Sequence, residues 1–78
     1  MTNRNLNRTI LAAVDNQIRE NNPPITRMTL EKLKKLGYTE KIAKEKIAAV
    51  LIEEIYDVMK NNAPYDEERY SKKLRSLK

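Results

Sequence analysis

Apolar residues recur at helical spacing in four separate stretches of this chain, and each stretch runs into residues that interrupt helices. Leu6, Ile10, Val14 and Ile18 form an i, i+4 ridge that Leu11 and Ala13 broaden, while Arg4, Arg8, Asp15, Arg19 and Glu20 fall mostly on the other side. The pattern predicts a helix over about residues 5–21. Asn21, Asn22, Pro23 and Pro24 end it, because proline lacks the amide proton and pushes its predecessor out of helical geometry.

A second helix is predicted over about residues 26–36, capped by Thr26, turning Met28, Leu30, Leu33 and Leu36 inward, and stopped at Gly37. Thr39 can cap a third over about residues 39–61, with Glu40 in its first turn and Ile42, Ala43, Ile47, Val50, Leu51, Ile55, Val58 and Met59 on its apolar side. Ala48 and Ile52 widen that side, so this helix is expected to be the most buried. After Asn61, Asn62, Ala63 and Pro64, Asp66 can cap a fourth helix, about residues 66–77, carrying Tyr70, Leu74 and Leu77. Tyr65 and Tyr70 stand at the two positions of a hydrophobic staple across that cap, and the end beyond Leu77 is expected to fray. Short connections make neighbours antiparallel, and the expected fold is all-α, a compact four-helix bundle-like domain spanning residues 1–78.

At 78 residues such a domain buries only about 60% of its unfolded surface, and there is no cysteine to staple it. The lack of cysteine favours a reducing, cytoplasmic setting. Residues 1–7 lack the apolar core of a signal peptide, and no stretch approaches the ~20 apolar residues of a membrane span.

Histidine, cysteine and tryptophan are all absent, and Gly37 is the single glycine. Most enzymes draw a base, nucleophile or metal ligand from His or Cys, and phosphate-cradling loops need several glycines. The expected function is therefore non-enzymatic, with no cofactor or metal and no evident small-molecule substrate. The third helix has apolar residues on more than one side, and so few elements cannot cover them all, which points to a protein partner or a homo-oligomer. Ile52 and Tyr56 are the expected contact residues, with Tyr38 and Tyr65 behind them.

The net charge of +5 alternates along the chain rather than spreading evenly. Residues 32–46 carry six lysines against two glutamates, residues 47–68 carry six acids against one lysine, and residues 69–78 carry five cations and no acid. Helix, Leu-Gly-Tyr turn and lysine-rich helix outline a helix-turn-helix reader, so a second expectation is nucleic-acid contact through Lys34, Lys35, Lys41, Lys44 and Lys46. From Thr39 to Ile47 that helix offers no Asn or Gln for base edges, so contact would be to phosphates. Glu53 and Asp57, one turn apart, could hold a hard cation if Asp15 or Glu20 approached, although Arg8, Arg19 or Lys60 could equally salt-bridge them. The basic, amphipathic last helix could rest on RNA or an anionic surface, or dock its apolar stripe on the bundle.

Asn5-Leu6, Gln17, Pro23-Pro24-Ile25, Leu33 to Gly37, Ala43, Glu53, Pro64-Tyr65-Asp66, Tyr70 and Leu74 together resemble a family of short all-helical bacterial proteins of unknown function. The resemblance spans nearly the whole chain in short matches. It implies the fold and no activity: the family's histidines fall here at Asn7, Leu11, Lys41 and Glu45, which removes the basis for an imidazole metal site.

Overall fold

A computed structural model describes residues 3–78, with side chains from Arg8 onward inside the first helix. The N-terminal side chains invoked above, Leu6 and Asn7 included, lie outside the described set. Four helices form the fold: α1 (Asn3–Glu20), α2 (Pro24–Lys35), α3 (Glu40–Asn61) and α4 (Glu67–Arg75). The domain is all-α and bundle-like, as the spacing predicted.

Three of the helices end in one way, in a residue with left-handed backbone. Asn21 has φ 54°, Gly37 φ 106° and Asn62 φ 50°. In each case the next amide reaches back to the last free carbonyls: Asn22 to Gln17, Tyr38 to Leu33 and Ala63 to Val58. Asparagine and glycine tolerate this conformation where other side chains clash, so the Asn pairs and Gly37 stop their helices by backbone chemistry.

The helix starts divide. Thr39 accepts from the Ile42 amide and Asp66 from the amides of Glu68 and Arg69, as expected of caps. Thr26 does not cap α2, which begins two residues earlier with Pro23 at the cap and Pro24 in its first turn. Proline suits that position because the missing amide hydrogen would have no partner there. Thr26, released from capping, is fully buried and donates to Gln17 Oε1 of α1 at 2.7 Å.

α3 is the spine, packing against α1, α2 and α4, while α2 also touches α1 and α4. The core is aliphatic apart from one ring: Ile10 and Val14 from α1, Leu30 and Leu33 from α2, Ala43, Ile47, Ala48, Val50 and Leu51 from α3, and Tyr70 and Leu74 from α4. Several predicted core residues face out instead. Met28 is exposed because α2 turns its Thr26, Thr29, Leu30 and Leu33 side inward, and Leu36 is exposed at the C-cap, where the helix has already ended. At about 100° per residue Met28 lies roughly opposite Thr26. Ile42, Ile55 and Met59 are exposed on α3. Ile55 and Met59 lie roughly opposite Glu53 and Asp57, which mark the side of α3 that meets α4.

The fourth helix stops at Arg75, two residues short of the predicted end. Leu77 still packs on the core, and the Lys78 carbonyl accepts from the Tyr38 hydroxyl at 3.2 Å, so the chain beyond α4 is held.

Burial decides which apolar substitutions matter. Leu33→Ala, in the centre of the core, is expected to cost about 2–5 kcal/mol in urea denaturation. Met28→Ala, on the outside of the same helix, is expected to stay within about 0.5 kcal/mol. Comparable losses at the two positions would contradict the assigned face of α2.

Candidate interaction surface

The side of α3 turned away from α4 leaves several apolar residues uncovered. Ile52, Ile55, Tyr56 and Met59 follow one another at i, i+3, i+4 and i+7, which places them on one stripe. Tyr56 is 58% exposed and Met59 72%. Upstream, Ala48 and Ala49 leave room beside Leu11 of α1, giving an open hollow of about 260 Å³ lined by Leu11, Glu45, Ala48, Ala49 and Ile52. From Ala48 to Met59 the stripe itself carries no charge, since Glu53, Glu54 and Asp57 point to the α4 side, while Glu45 stands at the upstream edge of the hollow.

The structure brings Ile52 and Tyr56 together on this stripe and takes Tyr38 and Tyr65 elsewhere. Tyr38 is half-buried in the α2–α3 turn, with Lys46 Nζ 4.7 Å from its ring centroid. Tyr65 leans on Tyr70, ring centroids 6.1 Å apart, in the staple expected across the α4 cap.

The five lysines of the second expectation do not form one free patch. Lys34, Glu40, Lys44 and Asp15 make a surface ladder joining α2, α3 and α1, with separations of 3.6, 3.2 and 2.7 Å. Hydrogen bonding to Lys44 holds the Glu40 carboxyl below the usual carboxylate range, and Asp15 raises the Lys44 ammonium. Lys46 lies over Tyr38, and Lys35 and Lys41 stand exposed.

The acids of α3 meet α4. Glu54, fully buried, takes Arg69 Nε at 2.8 Å and Nη2 at 2.6 Å on one oxygen, and Lys73 Nζ lies 3.4 Å from the other. The same ammonium binds Glu53 at 3.3 Å and Asp57 at 3.2 Å. Burial works against the Lys73 charge, but Asp57 and Glu53 outweigh it and the pKa is raised. A lysine thus occupies the position a bound cation would take. Asp15 and Glu20 are engaged elsewhere, by Lys44 and Arg19, and neither approaches Glu53 or Asp57. Among the described residues no group of three or more acids, Cys or His is arranged to hold a metal.

A second polar junction escaped the sequence reading. Gln17 Oε1 accepts from both Thr26 and the Tyr70 hydroxyl, the latter at 3.0 Å, linking α1, α2 and α4 in the interior. Burial, opposed by the bonds with Thr26 and Gln17, pushes the Tyr70 phenol up to about 12.

No protein-family model, curated protein or solved structure matches the chain. Its function is therefore a question for its own residues. Among the described residues no helix is long and apolar enough to cross a membrane.

Two substitutions test these junctions. Arg69→Met strands a buried carboxylate on Lys73 alone and is expected to lower Tm more than Lys73→Met, while Glu54→Leu added to Arg69→Met recovers the loss. A double variant less stable than Arg69→Met would contradict the clamp. Tyr70 ionises in the unfolded chain near its ordinary value of about 10 but resists in the fold. Its contribution is therefore intact below pH about 10 and falls by about 2 kcal/mol as pH rises toward 12. Tyr70→Phe should cost about 1 kcal/mol at neutral pH and flatten that alkaline decline in urea titrations. An unchanged decline would show that Tyr70 does not cause it.

Proposed function

We propose that this chain is a non-enzymatic interaction module of the bacterial cytoplasm that pairs with a second copy of itself through the outer stripe of α3. The observation that carries this reading is a knob and a hole on one stripe. Tyr56 protrudes two turns, about 12 Å, from the hollow at Ala48 and Ala49. In an antiparallel pairing of two α3 helices about a two-fold axis at Ile52, residue 48 meets residue 56 of the copy. Each Tyr56 then enters the other copy's hollow, and Ile52 meets its own counterpart.

A two-fold contact brings groups on the axis next to their own copies, so charge there repels itself. The stripe from Ala48 to Met59 is uncharged on a molecule whose net charge is +5. Aromatic and methionine side chains at the centre of such a contact supply large apolar area with a fixed shape. The absence of histidine and cysteine and the engagement of Glu53, Glu54 and Asp57 by α4 support a role in contact rather than turnover.

Sedimentation equilibrium is expected to show a reversible dimer in the micromolar range, with Tm rising with concentration. Tyr56→Glu is exposed in the monomer and should leave the helical spectrum intact while weakening association by tenfold or more. A strict monomer up to about 1 mM, or a Tyr56→Glu protein that associates like the parent, would remove the proposal.

A further inference from the structure

Most charged side chains of α3 already have a partner. Glu40 and Lys44 belong to the ladder with Asp15, Lys46 lies over Tyr38, and Glu53, Glu54 and Asp57 are bound from α4. Lys41, Glu45 and Lys60 remain, exposed and in no ion pair among the described residues. The groups of opposite charge nearest to them along the helix are taken: Asp57, three residues before Lys60, by Lys73, and Lys44, beside Glu45, by Asp15 and Glu40. Two of the three have opposite sign and stand at the two ends of the outer stripe. Glu45 lines the upstream edge of the hollow at Ala48 and Ala49, and Lys60 follows Met59.

Within one chain these two charges are about 22 Å apart along the helix and cannot meet. The antiparallel pairing about Ile52, on which this inference rests, changes that. Each residue then stands level with the one equally far beyond Ile52 on the copy, so Glu45 is level with Met59 of the copy and about 1.5 Å along the axis from its Lys60. At about 100° per residue, Glu45 and Lys60 lie about 20° and 80° to the same side of Ile52. A two-fold axis perpendicular to both helices keeps them on the same flank of the contact, where the long lysine side chain reaches the carboxylate. Met59 lies about 20° to the other side, the side on which Lys44 meets α1, and so comes over the part of the hollow lined by Leu11. The two Glu45 carboxylates stay about 21 Å apart, so neither repels its own counterpart.

We propose that Glu45 of each copy pairs with Lys60 of the other, and that these two symmetric ion pairs set the direction and register in which the α3 stripes meet. A parallel pairing would bring Glu45 to Glu45 and Lys60 to Lys60, so like charges oppose it at both ends. A slip of one turn would carry Lys60 about 6 Å further along the axis from Glu45 and withdraw Tyr56 from the hollow. Apolar area alone does not choose among these arrangements. Ion pairs at the rim of a contact add little affinity, but they penalise the arrangements in which charges are mismatched. Lys41 takes no part, because it falls level with residue 63 of the copy, beyond the end of α3 at Asn61.

Sedimentation equilibrium of the full chain at low salt, comparing the parent with Lys60→Glu, Glu45→Lys and the double variant, tests this. Lys60→Glu lowers the net charge of each copy by two from +5, which by itself would ease the repulsion between copies and tighten the dimer. The proposal requires the opposite: the new acid faces Glu45 at both ends, and association should weaken by about fivefold or more. Glu45→Lys should weaken it at least as much. The double variant restores the parent's net charge with the pairs reversed and should return to within about twofold of the parent. Both positions are exposed, and circular dichroism confirms that each variant is folded. A parent that dimerises while Lys60→Glu associates as tightly or more tightly, or a double variant no tighter than the single ones, would overturn the ion pairs and leave the α3 contact standing. A strictly monomeric parent would overturn both.

Discussion

A nine-residue helix cannot hold itself together in water, so α4 exists only because it is docked, and the arrangement of the rest depends on that docking. Its apolar anchors are Tyr70 and Leu74, both fully buried. Its polar anchors are unusual for so small a domain: Glu54 of α3 is taken wholly out of water to meet Arg69 and Lys73, and Gln17 of α1 receives the Tyr70 hydroxyl. Buried carboxylates add little net stability, since desolvation offsets the attraction, but they penalise every register in which their partners are missing. The clamp therefore fixes where α4 lies more than it strengthens the fold.

That placement determines what each surface can do. Glu53 and Asp57 project to Lys73 on the side of α3 that meets α4, and the stripe from Ala48 to Met59 carries no charge of its own, with Glu45 at its upstream edge. The same docking sets the Arg75 carbonyl against Lys32 and the Lys78 carbonyl against the Tyr38 hydroxyl, tying together segments about forty residues apart.

The helices and most of their boundaries were legible because they depend on local chemistry: apolar spacing, the Thr39 and Asp66 caps, and Asn or Gly where the backbone turns left-handed. Thr26 misled because a capping residue type following prolines was free to cross to Gln17. Met28, Leu36, Ile42, Ile55 and Met59 misled for a different reason. Periodicity reports that a side is apolar, but which apolar side a neighbour covers is decided by how the helices pack. Glu54 lay hidden in an acidic run, where Glu53 and Asp57 look alike in sequence and only the position of α4 selects the one to bury. The expected contact set was half gathered, Ile52 and Tyr56 on the stripe and Tyr38 and Tyr65 in packing roles, because tyrosine serves both purposes. The lysines were visible as a run, but their pairing with Asp15 and Glu40 needed the α1–α3 register.

Native-state hydrogen exchange at individual amides tests the central role of α4 docking most directly. If the helix is integral to the fold, the amides of Tyr70 and Leu74 exchange only through global opening, within about tenfold of Val14, Leu33 and Ile47. Exchange at Tyr70 and Leu74 more than about a hundredfold faster, with the other three still protected, would show α4 leaving the bundle on its own and would contradict the account.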